Sequence, residues 1–178
     1  MEFTYRVAKE SDAEEIYKIM KIVEENMINT DDFVSDDLDF IKTHIKDRGF
    51  IVLAIEKERQ ERAGFFIIRF PGDDIDNLGN DLQFDKEKRD RVVHMESAAV
   101  LPVFRGWHLQ EKMLKFALEK LDDTSICMAT AAPQNKASLS AFLKNDFEVV
   151  LTKKKYGGRM RHILLRRKNQ GGFLINIL

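Results

Sequence analysis

Nine residues, Val92-Val93-His94-Met95-Glu96-Ser97-Ala98-Ala99-Val100, read as one strand and run directly into the turn Leu101 to Gly106. A helical stripe of Leu109, Met113, Phe116, Ala117 and Leu121 follows, and then an apolar run from Ser125 to Ala131 with the composition of a buried strand. A strand, a helix and a second strand in this order close on one sheet as a crossover between parallel neighbours, since a tight hairpin can join only antiparallel strands. The rest of the chain has to fit around this unit.

On the N-terminal side, Phe3 to Val7 alternate, and Ser11-Asp12-Ala13-Glu14 has the spacing of a capping box. A helix is expected from there, with Ile16, Ile19, Met20, Val23 and Met27 on its apolar stripe. A shorter stripe of Leu38, Ile41 and Ile45 follows Ser35. Phe50 to Ile55 and Gly64 to Phe70 are rich in β-branched and aromatic residues and flank the polar stretch Glu56 to Arg62, as a hairpin requires. Pro71 to Asp90 is a long polar insertion. Beyond the crossover, a helix starts near Pro133-Gln134-Asn135, and strands are expected around Phe147 to Thr152 and Met160 to Arg167. The order β-α-α-β-β-β-α-β-α-β-β places the chain in the α+β or mixed α/β class.

Composition narrows the function classes. A length of 178 residues suits one domain, and 44% hydrophobic with 33% charged residues is globular. No apolar run approaches the roughly eighteen residues of a membrane helix, so no membrane partner is expected. Met1-Glu2-Phe3-Thr4-Tyr5 reads straight into a strand rather than a leader, which points to the cytoplasm. The single cysteine, Cys127, lies in Ile126-Cys127-Met128-Ala129 and reads as a core residue. With a net charge of -1 and basic residues interleaved with acidic ones, no nucleic-acid footprint is present.

Backbone N–H groups at the start of a helix lack intrahelical partners, and the helix dipole adds positive potential, so the stretch Arg105 to Gln110 suits a pyrophosphate. A glycine and an arginine also occur in ordinary strand-to-helix turns, and the motif alone leaves that reading open.

From Phe3 to about Arg167 the chain resembles the GNAT superfamily of acyl-CoA-dependent N-acetyltransferases. The resemblance is carried by Val100-Leu101-Pro102 at the end of the fourth strand, by Arg105-Gly106 in the position of the Arg/Gln-x-x-Gly-x-Gly/Ala loop, and by Asn135-x-x-Ser138 with Phe142-Leu143-Lys144 and Phe147. It implies a GNAT-like fold: a twisted, mostly antiparallel sheet with helices on both faces, its fourth and fifth strands splayed to admit the pantetheine arm. Acetyl-CoA is the implied co-substrate, with no metal. The implied contacts are Ala98 and the Val100 backbone to pantetheine, amides of Arg105, Gly106, Trp107, His108, Leu109 and Gln110 to the pyrophosphate, and Asn135, Ser138 and Phe142 from the next helix. His108 and Gln110 stand where the family has glycine or alanine, and Phe142 stands where many members carry a tyrosine that protonates the departing thiolate.

Strict alternation puts Val92, His94, Glu96, Ala98 and Val100 on one face of their strand, and Val93, Met95, Ser97 and Ala99 on the other. An ammonium acceptor must lose a proton before it attacks a thioester. His94 and Glu96 match the positions from which the family draws its base; the alternatives are a core histidine on a carbonyl and a glutamate tied to an arginine. The insertion holds seven acidic residues (Asp73, Asp74, Asp76, Asp81, Asp85, Glu87, Asp90) against three basic ones, which reads as an acidic lid for a cationic amine or as a solvated loop. Tyr156-Gly157-Gly158 reads as the turn between the last strands, its tyrosine either packed or reaching the acceptor pocket, and Trp107 either shields the cofactor or packs. Residues 1–167 are expected to form the domain and 168–178 an apolar tail that docks on its own domain or on a second copy in a homodimer. The expected activity is transfer of an acetyl group from acetyl-CoA to an amine of a small molecule or protein. An acyl-CoA-binding module of the same fold without catalysis is the rival, and a protein-interaction domain is the third reading.

Overall fold

The computed structural model describes residues 1–27 and 36–167. Ser35 and the apolar tail lie outside the described residues. Seven strands form one sheet in the order β1-β2-β3-β4-β5-β7-β6. They are β1 (Phe3–Val7), β2 (Gly49–Glu56), β3 (Arg62–Arg69), β4 (Val92–Val100), β5 (Ile126–Ala131), β6 (Phe147–Lys155) and β7 (Arg159–Arg166). Every neighbouring pair is antiparallel except β4 and β5, which are parallel. The helix between them, α4 (Leu109–Leu118), makes the expected crossover. The other helices are α1 (Ala13–Glu25), α2 (Leu38–Lys46), the short α3 (Lys86–Asp90) and α5 (Lys136–Leu143).

Both faces of the sheet are covered. Ile16, Ile19 and Met20 of α1 and Ile41 of α2 pack with Ile51, Leu53, Phe65 and Ile67 on one face. Met113 and Leu114 of α4 and Phe142 of α5 pack with Val52, Phe66, Ile68 and Met95 on the other. Double coverage explains why β2 and β3 read as near-continuous apolar runs rather than as alternating ones. Among the described residues no helix is long and apolar enough to cross a membrane. Cys127 is buried, as its run suggests.

Three sequence expectations change. The capping box does not form at Ser11: Glu10–Asp12 make a 3-10 turn, and α1 starts at Ala13. Asp12 is the residue that matters there. Its carboxylate accepts from the Lys9 amide at 2.8 Å, from Arg6 at 2.7 and 2.8 Å and from Arg62 at 3.0 Å, which joins β1, the helix entry and β3. Those bonds, led by Arg6, hold its carboxyl far below the usual range.

The insertion is a packed buttress rather than an acidic lid. Leu78 and Phe84 bury themselves against Val92, Met128, Ile163 and Leu165. Six of its seven carboxylates engage the protein: Asp74 pairs with Arg48 and Arg69, Asp76 with Arg69, Asp81 with Lys153 and Lys155, Asp73 and Asp90 with Lys86, and Asp85 caps α3.

The third change is a β-bulge. Ile67 pairs with Ser97 but Ile68 pairs with Met95, so Glu96 is an extra residue on β4. A one-residue insertion reverses the parity of everything beyond it. Val93 and Met95 before the bulge and Ala98 and Val100 after it pack on the α4 face, while Ala99 packs on the α1 face. Ala98 and Val100 therefore do not share the face of His94, as strict alternation would have it.

Candidate functional site

Pairing between β4 and β5 runs from Val92↔Ile126 to Met95↔Ala129 and stops. β4 continues to Val100 and β5 to Ala131, so the two strands part, as the resemblance implies. A cleft of about 560 Å³ opens there. The Leu101 amide donates to Ala63 on β3 at 2.9 Å, so Val100, one residue earlier, directs its own N–H the opposite way, into the splay.

Of the residues expected at the site, Glu96, Ala98, Val100, Arg105, Gly106, His108, Leu109, Gln110, Asn135, Ser138 and Phe142 all line this cleft. Trp107 takes the packing alternative, its ring centroid 5.9 Å from that of Phe3. His94 is 4% exposed and sits behind Glu96.

The start of α4 fits an anionic group. No side chain caps it, so its first N–H groups are left to an outside acceptor. Gly106 adopts φ 86° and nothing lies within 4 Å of where its Cβ would stand, so the backbone conformation, rather than crowding, calls for glycine. His108, the N-cap, holds φ 55° and ψ 33°, a left-handed conformation that costs a non-glycine residue about 1 kcal/mol. Its imidazole points outward, 67% exposed and 3.7 Å from the Glu111 carboxylate. His108→Gly is expected to relax the loop and tighten acetyl-CoA binding by roughly two- to tenfold in a calorimetric titration. Binding weakened by that factor would instead assign the imidazole a direct ligand contact. Gln110 turns aside, its Nε2 donating to Ser138 Oγ at 3.4 Å, and Asn135 caps α5 by accepting from the Ser138 amide at 3.0 Å.

The bulge presents Glu96 to the other end of the cleft. His94 Nε2 accepts from the Leu78 amide at 3.0 Å, so its ring proton belongs on Nδ1, which donates to Glu96 Oε2 at 3.2 Å. Arg69 reaches the same oxygen at 3.5 Å. Burial pushes the Glu96 carboxyl up, but the His94 bond and the Arg69 charge outweigh it and leave it below the usual range. As a core histidine His94 differs from the expectation in its partner, which is the Leu78 amide rather than a carbonyl. Glu96 is tied to an arginine and lines the cleft as well.

Sequence reasoning missed several neighbours. Asp36 accepts from Ser97 Oγ at 3.2 Å, and burial together with the Glu96 charge pushes its carboxyl up to about 6. Arg69 was detectable, because a charged residue ending the apolar run Ala63 to Ile68 must find carboxylates if buried. Tyr156, expected from the sequence either to pack or to reach the pocket, lines the cleft with its hydroxyl 3.3 Å from Thr130 Oγ1. Burial pushes its phenol up, so it is a hydroxyl donor rather than a phenolate. Phe142 offers none, packing edge-on against Phe66 and Phe147 at 6.4 and 5.1 Å. Among the described residues no cluster suited to a metal ion is present.

No protein-family model matches the chain, and no curated protein matches it either. Solved structures do. A GNAT-family acetyltransferase from Listeria monocytogenes is 20% identical with a TM-score of 0.66, over 93% of this chain and 95% of that one. NAA60 of Arabidopsis thaliana in complex with acetyl-CoA is 12% identical with a TM-score of 0.68, over 92% and 98%. A chain of the NatC complex bound to Gag peptide and CoA is 13% identical with a TM-score of 0.69, over 95% and 100%. The chain has the fold of the GNAT acetyltransferases.

Proposed function

We propose that the protein is an N-acetyltransferase that uses acetyl-CoA to acetylate an amine of a small molecule or a peptide. The observation that carries this reading is the juxtaposition in one cleft of an uncapped α4 N-terminus, the parted β4 and β5, and the Glu96 carboxylate raised by a bulge. Acetyl-CoA, when bound, supplies the acyl thioester. The amides from Gly106 to Gln110 hold its pyrophosphate, and the unpaired edge of β4 aligns its arm, with the Val100 N–H placed to donate to the acyl oxygen. Glu96 accepts the proton of the incoming amine, directly or through water. His94 orients Glu96 and is not itself the base, because its Nε2 lone pair is occupied by Leu78. The departing sulfur takes its proton from water or from a cleft hydroxyl, Ser138 or Tyr156, since Phe142 has none.

Acetyl-CoA-bound and peptide-bound structures of the same fold support the co-substrate and the amine class. A non-catalytic acyl-CoA-binding module is the second reading, favoured by Phe142 and by the left-handed His108. Thiol release from acetyl-CoA over a panel of polyamines, amino acids and short peptides separates the two. Release above background with at least one amine is expected; saturable binding without release from any of them would select the module.

A further inference from the structure

The insertion between β3 and β4 does more than cover one face of β4, β5 and β7. Two groups touch Glu96, and the insertion holds both. The Arg69 guanidinium, with its side chain 9% exposed, meets Asp76 fork to fork at 2.8 and 2.7 Å and reaches Asp74 at 2.6 Å, while Glu96 at 3.5 Å is its most distant partner. On the other side of Glu96, the Leu78 amide fixes the ring proton of His94 on Nδ1. Both contacts fall on Oε2, and Glu96 lines the cleft.

From this geometry we propose that the insertion is a positioning device for Glu96, with Asp76 acting through Arg69 to keep that carboxylate loosely held and directed into the cleft. This rests on Glu96 as the base. One guanidinium stands among three carboxylates, and the two on the insertion take its better-aligned donors. With Asp76 neutral, Arg69 is free to close on Glu96 as a bidentate pair, which draws the carboxylate toward β3 and makes it a poorer proton acceptor. Asp76 is thus a positioning residue and touches no reacting atom.

Charged and titratable groups face Glu96 from every side: Arg69 on β3, Asp76 on the insertion, His94 on its own strand, Asp36 ahead of α2, His44 on α2 and Tyr156 at the β6–β7 turn. A rate profile alone would mix them, so the readout has to be the Glu96 carboxyl itself. Its side-chain carbon-13 resonance, assigned by its disappearance in Glu96→Gln, is titrated in wild type and in Asp76→Asn, beside the pH dependence of kcat/KM. Asp76→Asn is expected to lower the Glu96 midpoint by about half a pH unit to one unit and to cut kcat/KM by roughly five- to tenfold with acetyl-CoA affinity unchanged. Asp76→Glu should restore both. A midpoint that does not move overturns the proposal, and so does a loss of rate that Asp76→Glu fails to restore. If Asp76→Asn does not fold, Asp74→Asn removes charge from the same guanidinium and has to move the midpoint in the same direction. A midpoint that moves while the rate stays put upholds the positioning role and refutes Glu96 as base.

Discussion

Glu96→Gln is expected to lower the rate of acetyl transfer by about a hundredfold or more near neutral pH, with acetyl-CoA affinity within about twofold of wild type. Glutamine keeps the size of the side chain, and its carbonyl can still accept from His94 Nδ1. Only the proton acceptor is removed. Arg69 remains neutralised by Asp74 and Asp76, so no orphaned buried charge arises and the fold should persist. An aliphatic ammonium with a reference pKa near ~10.4 needs the base at pH 7 but sheds its proton unaided in alkali. The deficit should therefore shrink as pH rises. Steady-state rates from neutral to alkaline pH check this, and a fully active Glu96→Gln would remove Glu96 from the chemistry.

Ala137→Trp is expected to weaken acetyl-CoA binding by about a hundredfold or more, because an indole would occupy volume that the ligand needs. Ala137 is exposed, stands in the first turn of α5 and lines the cleft. Its side chain supports no core packing, so thermal stability should stay within about 0.5 kcal/mol of wild type. Thermal unfolding alongside the binding titration separates a plugged groove from a damaged fold.

The sequence disclosed most where local physics decides alone. β4 runs over the nine residues first read as a strand, because an apolar-rich segment bounded by a turn leaves little choice. The α4 stripe and the α5 start followed the same rules. What stayed hidden depends on partners distant in sequence. The bulge at Glu96 has no glycine or other local mark, and it alone moves Ala98 and Val100 to the opposite face from that expected. At Ser11 the local capping pattern lost to Arg6 and Arg62, which reach Asp12 from two strands. The insertion looked like a solvated acidic run partly because some of its counter-ions stand far away: Arg48 is 26 residues from Asp74, and Lys155 is 74 from Asp81. The α4 end of the cleft was legible through the strand, turn and helix order and the resemblance. At the Glu96 end, Arg69, Asp36, Asp76 and the Leu78 amide are brought together only by the fold.

The splay between β4 and β5 as an acetyl-CoA site is tested most directly by calorimetric titration of acetyl-CoA into the wild-type protein and into Ala137→Trp. Saturable one-to-one binding by wild type, lost in the variant at the same concentrations, is the expected result. No heat of binding to wild type at millimolar acetyl-CoA, or equal binding by the two proteins, would contradict it.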